Sequence, residues 1–302
     1  METTTAAART GPARSSWWPW VSLTVGVIAV SGAAILIRYA DDAEPFAISF
    51  WRCALGAAAL APFAGAPLRR LDTRQLRLPA AAGLFLALHF ATWITSLELT
   101  TVAASVLLVT SSPVFVALAA RYLLKERLST AGWIGVALTF VGTALVAGGD
   151  LSGSSFNGNM LAVIGAITVS GYVLAGQVAR RDLGNLEYNV VTYAAAGILL
   201  AVVCIVAGSP LWGYGAQTWI AIAGLVIGPQ LLGHTVLNFV LKDLDATTVS
   251  VAVMAEPIVA SLLALVLFSE VPPALIYPGG AAILAGIYLV SVVCKQAPEV
   301  VE

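Results

Sequence analysis

Two stretches of this chain repeat the same landmarks and decide its fold. Residues 101–142 read TVAASVLLVTSSPVFVALAARYLLKERLSTAGWIGVALTFVG, and residues 245–286 read DATTVSVAVMAEPIVASLLALVLFSEVPPALIYPGGAAILAG. One offset of 144 residues aligns their prolines, glutamates and glycines: Pro113 with Pro257, Glu126 with Glu270, Gly135 with Gly279 and Gly142 with Gly286. If each repeated unit crosses a membrane five times, the second unit must enter the bilayer upside down. Inverted repeats of this kind are typical of secondary transporters.

The composition places the chain in a membrane. Hydrophobic residues make up 59% of the chain and charged residues 10%, with a mean hydropathy of +0.92, whereas soluble domains are about 25% charged. A net charge of −1 provides no basic face for a nucleic-acid partner. Three cysteines lie in apolar runs, where they are expected to be small core residues, and we expect neither a metal nor a cofactor: Cys53, Cys204 and Cys294.

Apolar runs about as long as a membrane helix predict ten spans. They are 20–39, 45–65, 78–98, 102–123, 129–148, 159–179, 188–208, 217–241, 246–268 and 273–294. The expected fold is all-α and integral to the membrane, with ten transmembrane helices in two inverted five-helix repeats around a central cavity. The predicted divisions are an N-terminal cytoplasmic segment (1–19), the first repeat (20–148), the second repeat (149–294) and a cytoplasmic tail (295–302).

The distribution of positive charge predicts the orientation. With the N-terminus in the cytoplasm, thirteen of the fifteen Lys and Arg residues lie on the cytoplasmic side; Arg38 lies outside and Arg52 lies within a span. This bias follows the positive-inside rule, so both termini are predicted to be cytoplasmic in a multi-pass protein of the cell inner membrane. Glu126 stands between two cations and Glu270 between two uncharged residues, as expected if the two loops face opposite sides.

Five tryptophans lie near predicted span ends, where an aromatic belt would anchor the helices at the membrane surfaces. They are Trp17, Trp18 and Trp20 on the inner side and Trp212 and Trp219 on the outer side. The apolar run that starts at Trp17 is too long for a typical secretion signal, so it is interpreted as the first span.

The span count and the repeated landmarks resemble the EamA-type branch of the drug/metabolite transporter superfamily. The resemblance covers nearly the whole chain and is carried by Pro113, Glu126, Gly135 and Gly142, then by Glu256, Pro257, Glu270, Gly279 and Gly286. It implies a basket of helices around a cavity that opens alternately to each side, with helices 5 and 10 at the periphery. Within the family, the likeness favours exporters of aromatic amino acids.

Polar residues form a stripe on the third helix of each unit. His89, Thr92, Trp93 and Ser96 follow i, i+3, i+4, i+7 spacing in span 3, and Gln230, His234 and Asn238 follow i, i+4, i+8 spacing in span 8. Because polar groups are costly in hydrocarbon, these stripes are predicted to face a central cavity. The alternative is that the side chains hydrogen-bond neighbouring helices to one another.

Other candidates lie at similar depth. Arg52 in span 2 could bind a substrate carboxylate or pair with Glu256 in span 9. Glu256, Pro257 and Pro113 are candidates for ion coupling or for a hinge, because a proline removes a helical hydrogen bond. Further candidates for the cavity wall are Trp51, Tyr172, Tyr193, Ser105 and Ser112.

These residues favour a small neutral or zwitterionic substrate with an apolar body. One arginine at depth is too few for phosphorylated substrates, and one glutamate is too few for polyvalent cations. The leading hypothesis is a secondary transporter, not an enzyme, that exports small aromatic or other apolar amino acids, or related metabolites, by alternating access. Its predicted partners are the substrate, the lipid bilayer and, as a candidate coupling ion, the proton.

Three alternatives stay open. The cavity would also suit other small neutral or lipophilic compounds, including drugs. An intramembrane enzyme would need a nucleophile such as Ser111 or Ser112 with a histidine, but the chain lacks Gly-x-Ser-x-Gly and His-Glu-x-x-His motifs. A structural or receptor-like membrane protein is the third. No Gly-x-x-x-x-Gly-Lys motif for ATP is present.

Overall fold

A computed structural model describes residues 17–125, 128–146, 155–259, 262–263 and 274–293, and within them all regular elements are helices. Seven are long and apolar enough to cross a membrane: α1 (Trp18–Tyr39), α2 (Pro45–Arg69), α3 (Thr73–Leu99), α4 (Ala104–Leu123), α6 (Phe156–Ala179), α7 (Asn185–Ala207) and α8 (Ala216–Val240). Three shorter apolar helices complete the described set: α5 (Thr130–Val146), α9 (Ala246–Val259) and α10 (Ile276–Tyr288). Each predicted span therefore corresponds to a helix. Glu126, Glu270 and Cys294 lie outside the described residues.

Local sequence signals set several helix ends. α3 begins five residues before the predicted start because Asp72 accepts a hydrogen bond from Gln75 N (2.8 Å), and the Gln75 side chain accepts one from Asp72 N (3.1 Å). This capping box supplies partners for free N–H groups at the helix start. α2 continues beyond its predicted end to Arg69, but Gly65 (φ 54°, ψ −140°) interrupts its helical geometry at that end. Gly208 ends α7 in a left-handed conformation (φ 73°).

The 144-residue repeat is visible in the backbone. α4 is interrupted at Thr110–Ser111 and α9 at Met254–Ala255. Pro113 and Pro257 follow these breaks and cannot donate to the carbonyl four residues earlier. The same hydrogen bond to the carbonyl oxygen three residues earlier forms in each break: Ser111 N to Leu108 O at 3.2 Å, and Ala255 N to Ala252 O at 3.1 Å.

The contact between α5 and α10 shows that the two units are inverted. An added Cβ on Gly135 would meet the Gly286 carbonyl oxygen at 2.8 Å, and one on Gly142 would meet the Gly279 oxygen at 2.5 Å. The early glycine of each helix thus faces the late glycine of the other, so the helices are antiparallel. Since α5 and α10 are equivalent helices of the repeat, their antiparallel packing means that the units run in opposite directions. Glycines allow this close backbone approach.

The other helix contacts obey the same symmetry. α1 packs against α8 just as its counterpart α6 packs against α3, and α2 packs against its own counterpart α7. The two main hydrophobic clusters draw their buried residues from α1 to α4 and α6 to α9, whereas α5 and α10 contribute to two small separate clusters. α5 and α10 are therefore peripheral, and the other eight helices build the centre.

Candidate functional site

A central cavity lies between α1, α2, α3, α4, α6, α8 and α9. Its empty space is about 810 Å³ including the open mouth. Much of the wall is aliphatic. Eight of the residues predicted from the sequence line it: Arg52, His89, Trp93, Ser112, Tyr172, His234, Asn238 and Glu256.

Arg52 places a guanidinium in this wall. The side chain is fully buried; its Nε donates to Gln230 Oε1 at 3.0 Å, and its Cζ lies 3.8 Å from the centre of the Phe90 ring. Both terminal nitrogens, Nη1 and Nη2, have no hydrogen-bond partner among the described residues. A buried guanidinium is costly unless its donors are satisfied, so this side chain has hydrogen bonds available for a bound molecule.

The α3 wall provides an aromatic surface and another free donor. His89 Nδ1 lies 2.9 Å from the Gly165 carbonyl oxygen, which can only accept, so Nδ1 carries the proton. The His89 ring stacks on Trp93, with centroids 5.8 Å apart and planes 7° from parallel. Trp93 Nε1 is buried and has no hydrogen-bond partner in the part of the chain that the structure describes. This wall can pack against a flat apolar group and donate to an acceptor.

The α8 wall is held by a polar network. The side-chain nitrogen of Asn238 donates to the Tyr172 hydroxyl at 2.5 Å and to Asn189 Oδ1 at 2.6 Å. Its backbone oxygen accepts from Arg180 Nε at 3.1 Å. Arg180 follows the end of α6, and its partial burial lowers the pKa of the guanidinium. The network fixes α6, α7 and α8 together on one side of the cavity, where His234 also packs against Tyr172.

The two helix breaks each place one side chain in the wall. Ser112 and Glu256, which are 144 residues apart, are the first helical residues after the breaks of α4 and α9. Glu256 is buried and forms no side-chain hydrogen bond within the described part of the chain. The direct pair with Arg52 that the sequence allowed is not formed between these side chains, since Arg52 is bound to Gln230 instead.

The structure places four of the remaining candidates between helices: Ser96, Ser105, Tyr193 and Gln230. Ser96 and Ser105 share a hydrogen bond of 2.6 Å. Thr92 instead donates to the Leu88 carbonyl oxygen of its own helix. Tyr193 donates to the backbone oxygen of Gln230 at 3.3 Å. These contacts correspond to the alternative in which polar groups connect helices.

The stripe predicted on α8 is divided by a π-helix over Val226–His234. Hydrogen bonds in a π-helix run from i to i+5, so each turn is wider and the spacing of a face changes. Gln230 is thereby directed to Arg52, while His234 and Asn238 line the cavity. Sequence reasoning missed Phe90, whose ring lies against the Arg52 guanidinium. An apolar residue beside a polar stripe gives no sequence signal of such a contact.

An aromatic cluster lies at the end of the helices that carries the α1–α2 and α7–α8 loops. Trp51 Nε1 donates to Leu211 O at 2.9 Å. The centroid of its ring lies 4.6 Å from that of Trp212 and 5.2 Å from that of Trp219. Trp51 therefore belongs to an aromatic cap at this end and not to the cavity wall.

Two acidic residues of the α1–α2 loop bind the α7–α8 loop. Asp42 accepts from Gly215 N at 2.7 Å, and Glu44 accepts from the Ser209 hydroxyl. Hydrogen bonds from Gly215 and Thr218 hold the pKa of Asp42 below its usual value. These hydrogen bonds thus join the first unit to the second.

An inverted ten-helix repeat around a partly polar cavity at membrane depth defines a membrane transporter. The chain belongs to the EamA-like transporter family, which matches residues 17–148 and 156–292. It is a multi-pass transporter of the drug/metabolite type, as the resemblance implied.

Relatives and a solved structure agree with this assignment. The chain is 24% identical over 248 residues to the "Uncharacterized transporter YdfC" of Bacillus subtilis (strain 168), covering 80% of each protein. It is 24% identical over 277 residues to an "Uncharacterized transporter" of Archaeoglobus fulgidus, covering 88% of this chain and 95% of the relative. One crystal structure, 21% identical, superimposes with a TM-score of 0.79 over 93% of this chain and 99% of its own, which shows the same fold. None of these names a substrate.

Proposed function

We propose that this protein is a secondary transporter that exports small amino acids with aromatic or other apolar side chains, or related metabolites, by alternating access. The observation that carries the proposal is the guanidinium of Arg52, which is buried in the cavity wall with two unpaired terminal nitrogens. A carboxylate accepts from such a group through two parallel hydrogen bonds. The nearby Trp93 Nε1 is a further unpaired donor.

The rest of the wall suits an apolar body. The stacked rings of His89 and Trp93 form one side, and the aliphatic side chains of α1, α6 and α9 form much of the remainder. Aromatic groups prefer offset-stacked or edge-to-face contacts with such rings. The phenyl or indole side chain of an amino acid would therefore pack against this wall while the α-carboxylate of the same molecule is held at Arg52.

The proposal also specifies the orientation of the protein in the membrane and proton exchange as the source of energy for transport. The charge bias supports cytoplasmic termini in the inner membrane, so the end capped by Trp51 would face outward. Glu256 is a titratable group in the cavity wall, and it is the proposed site at which a proton is exchanged for substrate.

The intramembrane-enzyme alternative receives no support from Ser111. Ser111 Oγ donates to the backbone oxygen of Leu108 at 2.6 Å, so it is not poised against a histidine base. Retained transport in the S111A/S112A double variant would exclude a catalytic role for both.

Counterflow in proteoliposomes tests the proposal. Proteoliposomes that contain the purified protein are loaded with unlabelled phenylalanine. Uptake of labelled phenylalanine is then measured with and without a pH gradient. We expect saturable uptake that R52Q lowers by at least tenfold, since a hydrogen bond to a charged group contributes about 1.5–3 kcal/mol. R38Q is the control, because Arg38 is exposed at the end of α1 and loses the same charge. No saturable flux of any amino acid would refute the substrate class, and flux of lipophilic compounds alone would favour the drug-export alternative.

A further inference from the structure

The cavity wall carries two opposite charges that come from different repeats. Among the described residues that line it, Arg52 and Glu256 are the ones with a formal charge when histidines are neutral. Arg52 lies on α2 of the first unit and Glu256 on α9 of the second. The counterpart of Glu256 in the first unit is Ser112, which has no charge. The repeat is therefore symmetric in its backbone and asymmetric in its charge.

The described residues leave both side chains with unused hydrogen-bonding atoms. Arg52 Nη1 and Nη2 are unpaired, and Glu256 has no side-chain hydrogen bond to a described residue, although both side chains are buried. The other titratable groups of the wall are His89, His234 and Tyr172, and none of them supplies a negative charge at neutral pH. A buried charge without a partner is expensive, so a ligand that pairs with both side chains would stabilise their ionised forms.

We infer that the cavity recognises zwitterions, with the carboxylate bound by Arg52 of the first unit and the ammonium group bound by Glu256 of the second. This inference rests on the proposed function and narrows its substrate class. A monocarboxylate leaves Glu256 unpaired, and an amine leaves Arg52 unpaired. Discrimination arises because a buried polar group that loses its partner costs much more than an apolar contact. A bound zwitterion also connects the two inverted units across the cavity.

Three ligands with the same phenyl group separate the two ends. Phenylalanine has both charges, 3-phenylpropionate lacks the ammonium group and phenethylamine lacks the carboxylate. Binding to the purified full-length protein is measured by calorimetry, so that a loss of transport does not hide a change in affinity. For the wild type we expect phenylalanine to bind about 10- to 100-fold more tightly than either analogue.

The charge-removing variants should then affect different ligands. R52Q should weaken phenylalanine and 3-phenylpropionate by about 10- to 100-fold and leave phenethylamine unchanged, whereas E256Q should weaken phenylalanine and phenethylamine and leave 3-phenylpropionate unchanged. R38Q and D182N remove exposed charges and serve as matched controls. R52K and E256D keep each charge and should keep the wild-type order of ligands, which separates recognition from misfolding.

The outcomes distinguish the two proposals. The zwitterion inference is overturned if the wild type binds all three ligands equally, or if R52Q and E256Q weaken binding of the same analogue. In either case the proposed amino acid transport still stands. If the wild type binds none of the three and transports no amino acid, the proposed function itself fails.

Discussion

Alanine in place of Gly142 tests the packing that makes α5 and α10 a symmetric pair. An added Cβ would lie 2.5 Å from the Gly279 carbonyl oxygen and 2.8 Å from the backbone nitrogen of Ile283. Favourable contacts of carbon begin at about 3.5 Å, and a backbone atom cannot rotate away as a side chain does. α10 would therefore have to move away from α5 by roughly 1 Å, which opens gaps along the rest of the contact.

The magnitude follows from a comparison with Gly32. An added Cβ there meets nothing within 4 Å, and the backbone is right-handed helical (φ −83°). Alanine at a compatible glycine position stabilises a protein by about 0.4–1 kcal/mol through the unfolded chain, and this gain applies to both sites. Overpacking costs about 1–3 kcal/mol and applies at Gly142 alone. G142A should therefore be about 1–3 kcal/mol less stable than G32A.

Unfolding of the purified protein in mixed micelles measures this difference. We expect G32A to be at least as stable as the wild type and G142A to be less stable, and G286A should behave like G142A because its Cβ would meet the Gly135 oxygen at 2.5 Å. If G142A and G32A unfold at the same denaturant concentration, the close antiparallel contact of the glycines is wrong.

Two further predictions concern the loops and the polar network. Asp42→Asn should speed hydrogen exchange in the α7–α8 loop at neutral pH, because Gly215 N loses a charged acceptor. The pKa of Asp42 is lowered, so in the wild type this stabilisation is present above the usual value of 3.8 and is lost as the pH falls below it. The variant should therefore exchange faster than the wild type only above that value, and a difference found only below it would contradict the sign. Asn238→Leu should destabilise the protein by about 1–3 kcal/mol, since Tyr172 and Asn189 lose a buried partner, and unchanged unfolding would show that the network contributes nothing.

The fold could be predicted because a bilayer imposes length and hydropathy on every span. The predicted helix starts and the continuity of the helices were inaccurate where a factor other than hydropathy determines them. α3 starts early because Asp72 and Gln75 form a capping box, which a search for apolar runs does not see. α1 is interrupted at Ser31–Gly32 without a proline, and hydropathy does not distinguish a π-helix from an α-helix.

The candidate site was harder to predict because polarity at depth shows that a side chain needs a partner, without showing which one. Ser96 and His89 lie on one predicted face of α3, yet Ser96 binds Ser105 and His89 lines the cavity. Gln230 was predicted to face a substrate and instead holds Arg52. Its importance comes from a contact between α2 and α8 that sequence spacing alone does not give.

The duplication explains why backbone and chemistry differ in their symmetry. Alternating access needs two states of similar energy, and a repeated backbone with matching breaks at Thr110–Ser111 and Met254–Ala255 lets each unit adopt the conformation of the other. A substrate with two different ends cannot be bound by two identical half-sites. If the cavity binds zwitterions as proposed, the side chains after the breaks have to differ, and Ser112 and Glu256 do, while the glycine contacts of α5 and α10 stay equivalent.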